Sequence, residues 1–213
     1  MSRDTEQFEQ AFAASEELAV RLLPLIRLPL YDESARLRAS DLLCSLSIEH
    51  WHAARRLLAS GLMPSALVVH RAQFEALVRS IWALYGATDD QLDRLNNSEL
   101  TAETEQAAKN LPQMHDMLEC LSKTAPIQAY EALDRFRTNS VKALNSYVHA
   151  GIHPLRRHES GYPIPLAISA LQNANGLAVL SCMQAVVLSG AQRLQREILD
   201  VAAEYPRCMP APL

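Results

Sequence analysis

Between Leu144 and His158 the chain reads L-N-S-Y-V-H-A-G-I-H-P-L-R-R-H. Three of its seven histidines, His149, His153 and His158, stand there beside the adjacent Arg156 and Arg157. Imidazole moves protons near neutral pH or ligates metals, and guanidinium groups hold phosphate oxygens through paired hydrogen bonds. His149 and His153 have the H-x-x-x-H spacing of a helical zinc pair. Gly151 lies between them, Pro154 follows at once, and no third ligand like the Glu of H-E-x-x-H accompanies them. The pattern argues against a metal, and no cofactor is implied. His149 falls instead near a helix C-terminus, where the dipole favours an imidazolium. Val141, Leu144, Val148 and Ile152 make the apolar face of that helix, with Asn145 and His149 one turn apart along its edge and Lys142 beside His149. The spacing predicts that Asn145 and His149 face inward. His153, Arg156, Arg157 and His158 are expected on an irregular loop, a basic patch that would attract a phosphate or an RNA backbone. Only Tyr147 and Tyr162 are near, too few for a base-stacking platform.

Three other polar residues fall where helical periodicity predicts core. Leu67, Phe74, Val78, Ile81, Trp82 and Tyr85 share one face, and Arg71 projects inside that arc, with Glu75 at its edge and Arg79 beyond. A charge on a buried face must find a partner, because leaving it unpaired costs several kcal/mol. His50 sits in the middle of a face formed by Leu43, Leu46, Ala54 and Leu57, with His52 opposite. Gln184 is surrounded by Leu177, Leu180, Val187, Leu188 and Ala191, with Asn173 on the same side. Two readings stay open. These groups either stitch helices together, or they line one interior site. In the second reading His149, Arg71, Glu75 and Asn145 are the candidate catalytic residues. His50, His153, Arg156, Arg157 and Gln184 are then candidate binding residues.

The elements that would position them are helices. The chain has 213 residues, 49% hydrophobic and 21% charged, and only six glycines, a composition that favours long helices over a turn-rich sheet. No β-alternating run occurs, so the fold class is all-α, a helical bundle with long helices and a polar excursion over 87–111. Helices are expected from about Asp4 to Leu23, Ser34 to Ser60, Ser65 to Tyr85, Pro112 to Lys123, Pro126 to Thr138 and Asn139 to Ala150. One long final helix is expected over Leu166 to Glu204, unless Gly176 or Gly190 breaks it. Residues 1–205 are expected to form a single bundle domain, with 206–213 as a flexible Pro-rich tail. A final helix of that length outruns one compact bundle unless broken, so a homo-oligomer, a dimer, is expected. The net charge of −4 gives no global attraction to nucleic acid or to anionic membranes. The four cysteines form no C-x-x-C pair, the N-terminus has no signal-peptide layout, and Ser181, Gln184 and Ser189 interrupt the most apolar window. No membrane association is expected, and the expected address is the cytoplasm.

The segments H-R-A-Q-F-E-A-L-V-R-S (His70 to Ser80) and L-N-S-Y-V-H-A-G-I-H-P-L (Leu144 to Leu155) add a resemblance. Together they resemble bacterial all-helical families of unknown function that carry an R-x-x-x-E helix and a later S-Y-V-H-x-G segment. Some of these are similar to the HEPN superfamily, helical bundles that are often dimeric and often act as metal-independent ribonucleases in toxin–antitoxin and phage-defence systems. The ribonuclease motif of that superfamily is an Arg with a His four to six residues further on. His149 stands in the His position, but Asn145 is four residues upstream, Lys142 seven and Arg137 twelve. For cleavage, the resemblance implies His149 as general acid and base, with Arg71 or Lys142 steadying the phosphate of an RNA partner. The alternative is a non-enzymatic helical interaction or small-ligand-binding protein whose buried polar cluster is structural.

Overall fold

A computed structural model describes residues 3–96 and 101–211. Residues 97–100 of the polar excursion, with Asn97 and Ser98, and the last two residues of the Pro-rich tail lie outside that set. Every regular element among the described residues is a helix, with no strand among them. The helices are α1 (Arg3–Leu22), α2 (Ala35–Ala59), α3 (Met63–Tyr85), α4 (Asp89–Asn96), α5 (Ala102–Lys109), α6 (Met114–Thr124), α7 (Ile127–Phe136), α8 (Lys142–Val148), α9 (Ile152–Ser160), α10 (Ile164–Leu188) and α11 (Leu194–Ala203). The fold is the all-α bundle that composition and periodicity predict.

Local chemistry sets most of the boundaries. Pro24 opens a 3-10 turn that ends α1. Ser34 caps α2 by accepting the backbone N–H of Leu37. Gly61, at φ +74°, turns the chain tightly between α2 and α3, and Pro64 sits in the first turn of α3, where its missing N–H costs nothing. Between α7 and α8 there is no break. A π turn over Arg137–Val141 joins them instead.

Two expectations change. The stretch 151–165 is not an irregular loop, because Ile152–Ser160 is helical. Gly151 occupies the N-cap of α9 and Pro154 its first turn, where proline is tolerated. Ser146 Oγ accepts the His153 N–H at 3.1 Å and would lie 2.6 Å from a Cβ on Gly151, so this corner requires glycine. The long final helix is broken at Gly190, which takes φ +73° with the Tyr31 ring packed against it. The chain turns there into α11, so helix length no longer demands a second subunit. In the Pro-rich segment after α11, the carbonyls of Arg207 and Cys208 accept from Gln172 and Asn175, and Pro210 packs on Gly176.

By length and composition α10 would suffice to cross a membrane, yet half of its most apolar window is buried within the protein. It runs antiparallel to α2 and also packs on α1 and α3, with polar groups meeting at turn-by-turn intervals. Asn175 Oδ1 accepts from Ser15 Oγ at 2.9 Å and from Trp51 Nε1 at 2.8 Å, while its Nδ2 donates to Cys208 O at 2.8 Å. Ser181 Oγ meets Ser47 Oγ at 3.0 Å, Cys44 Sγ reaches Ser181 O, and Gln184 Nε2 donates to Ser40 Oγ at 3.0 Å. Ser40 and Ser80 then exchange bonds between α2 and α3.

Asn175→Ala would leave the Trp51 N–H, the Ser15 hydroxyl and the Cys208 carbonyl buried without partners. Each orphaned group costs about 1–3 kcal/mol, so a loss on the order of 4 kcal/mol is expected in urea unfolding followed by Trp fluorescence. A loss below ~1 kcal/mol would show that Asn175 is not a structural hub.

Candidate functional site

Arg71 lies on α3 where that helix crosses α8. Its Nε donates to Asn145 Oδ1 at 2.8 Å, and its guanidinium pairs with Glu75 Oε2 at 3.2 Å. The other Glu75 oxygen takes Arg79 at 3.1 Å, so the three charges form a ladder one turn apart along α3. Arg71 is only 12% exposed and Glu75 36%. The guanidinium is thus placed at the edge of the core with a carboxylate and an amide as partners, which offsets the cost of its burial. Of the candidate catalytic residues, Arg71, Glu75 and Asn145 come together.

His149 does not join them. It is the exposed C-cap of α8, and among the described residues no hydrogen bond or ion pair links its ring to Arg71 or Glu75. The inward face ends one turn sooner than the periodicity suggests: Leu144 is buried, but Val148 is 43% and Ile152 58% exposed. Ala150, at φ +49°, then swings the chain away into α9.

The candidate binding residues scatter. His153, Arg156, Arg157 and His158 lie on the exposed surface of α9, with Arg156 paired to Glu159 and the His153 ring stacked on Tyr147. His50 is half-buried and outside the inner face of α2. That face is rotated from the expected one: it consists of Ser40, Cys44, Ser47, Trp51, Ala54, Arg55 and Leu58, and Leu46 is exposed. Gln184 is buried as expected, but its partner is Ser40. No group of three His, Cys, Asp or Glu side chains that could hold a metal occurs among the described residues.

Two further polar groups are buried, and neither stands among the candidate residues above. His70, on α3, is enclosed by the core; burial pushes its pKa from the ordinary 6.5 down to about 4, against the opposing hydrogen bond that it donates to Gln73. Gln73 Nε2 is committed to Ala174 O, so Gln73 Oε1 must accept, and His70 carries its proton on Nδ1 at 3.0 Å. The other ring nitrogen, Nε2, has no hydrogen-bond partner among the described residues, and the ring stands edge-on to Phe136. Arg55, 3% exposed, stacks over Trp51 at 4.8 Å and pairs with Glu16, while burial pushes its own pKa down. The spacing Ser40, Cys44, Ser47, Trp51, alternating four and three residues, is a helical stripe and could have marked the true face. Buried Cys182 has its thiol pushed up to about 12, and Cys208, also buried, has its thiol raised to about 11, in both cases by burial.

Two cavities lie on the far side of α10, of about 670 Å³ and 490 Å³, and they share Leu180 and Leu199. They form one groove between α7 with its π turn on one side and α11 on the other.

The neutral His70 makes stability depend on pH with a definite sign. Its folded pKa lies below the unfolded one, so stability is full above about pH 6.5 and is lost as pH falls towards 4, because the unfolded chain takes up a proton that the folded one refuses. His52, lowered mainly by burial, contributes in the same direction. The urea midpoint is expected to fall between pH 7.5 and 4.5, and His70→Leu to flatten that fall. An unchanged slope in the variant would contradict a buried neutral imidazole.

With the geometry in place, the model of a family of unknown function (DUF6988) matches residues 44–211. No curated protein and no solved structure matches the chain.

Proposed function

The chain belongs to the DUF6988 family of unknown function, and from that premise we propose that it is a non-enzymatic, small-ligand-binding helical protein whose Arg71–Glu75–Asn145 cluster is structural. One observation carries this reading: where the hydrogen bonds of Arg71 go. Its Nε is held by Asn145 and its terminal nitrogen by Glu75, so the cation already has an amide and a carboxylate where a phosphate would need to bind. General acid–base catalysis also needs a proton donor within about 3 Å of the reacting group. His149 points into solvent, one helix end away from that cation.

A second reading keeps a HEPN-like, RNA-directed ancestry. Its support is the meeting of the two motif-bearing helices, α3 and α8, through the 2.8 Å bond from Arg71 to Asn145. In that reading His149, next in sequence to the basic surface of α9, would act on RNA without metal.

Incubation of the purified protein with total RNA, beside His149→Ala, separates the two. Indistinguishable, uncleaved RNA profiles are expected. Cleavage by the wild-type chain that His149→Ala abolishes would overturn the non-enzymatic reading.

A further inference from the structure

We propose that the groove along α10 is a binding site for an amphipathic carboxylate that also carries a hydroxyl, with Arg193 receiving the carboxylate and Gln184 the hydroxyl. The inference rests on the small-ligand-binding reading above and names the ligand class.

The groove exists because Gly190 turns the chain away before α10 can continue, so α11 returns at a distance from α7. Between them the outer face of α10 is covered on neither side. Leu180, Met183 and Val187 stay only half-buried there, with Ile81 of α3 and Leu199 of α11 completing an apolar floor. A cavity of about 670 Å³ lies in the range of small-molecule sites, which are mostly apolar with a few convergent polar groups.

Its charge is unlike that of the rest of the chain. The protein carries 24 acidic and 20 basic residues, yet the groove is lined by Arg135, Arg193 and Arg196 and by no Asp or Glu. Arg196 is paired with Asp200 at 3.0 Å, whereas Arg135 and Arg193 have no ion-pair partner among the described residues. Arg193 stands at the mouth of the larger cavity, where a planar guanidinium suits a carboxylate.

Gln184 provides the second, independent observation. It is 5% exposed and lines the same cavity. Ser40 has one hydroxyl proton, directed to Ser80 O at 2.8 Å, so Ser40 can only accept from Gln184. That fixes the amide with Nε2 on Ser40 and leaves Oε1 without a partner among the described residues, on a side chain that lines the cavity. A nearly buried acceptor in an apolar wall is complemented by a donor, and an uncharged hydroxyl on the ligand supplies one without adding charge to the floor.

The test is calorimetric titration of the full chain with 3-hydroxydodecanoate below its micelle concentration, beside dodecanoate and 1,3-dodecanediol. Saturable binding to one site is expected, about tenfold weaker for the neutral diol and severalfold weaker for dodecanoate. Arg193→Ala, on an exposed residue that folding does not need, should weaken 3-hydroxydodecanoate about tenfold and leave the diol unchanged. Leu180→Trp, which fills the groove, should abolish binding, with helix content checked by circular dichroism. Absence of saturable binding overturns the proposal, as does equal affinity for acid and diol, or for acid in wild type and Arg193→Ala. Dodecanoate as tight as its hydroxy analogue removes Gln184 from the site. These failures would leave RNA untouched and the non-enzymatic reading standing, whereas RNA cleavage would remove that reading whatever the titration shows.

Discussion

Asn175 sits buried in the middle of α10, and three separate segments each present it with a polar atom. Ser15 comes from α1, Trp51 from α2 and the Cys208 carbonyl from the segment after α11. A buried amide must be satisfied or the fold loses several kcal/mol, so these four segments can meet in only one register. The rest of the interior repeats the device at one-turn intervals, with Ser181 on Ser47 and Gln184 on Ser40. Sliding α10 by one turn against α2 would break every one of these bonds at once. Apolar packing of Leu and Ala faces alone would tolerate such a slide far better.

The neutral interior and the charged margin do different work. Inside, hydroxyls and amides cross-link helices without any net charge, and even His70 is kept neutral by burial. Charges gather at the edge, where Arg71 and Glu75 face α8, with one exception inside: buried Arg55, stacked on Trp51 and paired with Glu16. Arg71 therefore marks where the core ends. The same logic explains His149. Once α8 stops at Val148 and the chain turns outward at Ala150, the imidazole falls on the water side of that margin.

The far side of α10 is the exception to this closure. There Gly190 redirects the chain into α11, and an apolar floor is left with Arg193 and Arg196 among its lining and with the side chain of Gln184. The segments that line it include the π turn before α8 and the last residues of the chain that are described, so both margins of the groove are built from irregular backbone on regular scaffolding.

Most helices and their ends were legible in the sequence, since those depend on local chemistry: the Ser34 cap, the Gly61 turn and the proline in the first turn of α3; the break of the last helix was left open between Gly176 and Gly190. The sequence also marked Arg71, Glu75 and Asn145 as polar groups on inward edges, which they are. It misjudged where α8 turns outward and took α9 for a loop, because Gly151 and Pro154 read as breakers unless Ser146 is known to cap the corner. Only the tertiary structure decided which face of α2 is inside, because a stripe of Ser, Cys and Trp is weaker as a hydrophobic signal than the leucines beside it. Only it could show that Gln184 answers to Ser40 and that the groove carries no carboxylate. The first joins residues 144 positions apart and the second gathers residues from separate helices, and spacing along one helix holds no information about either.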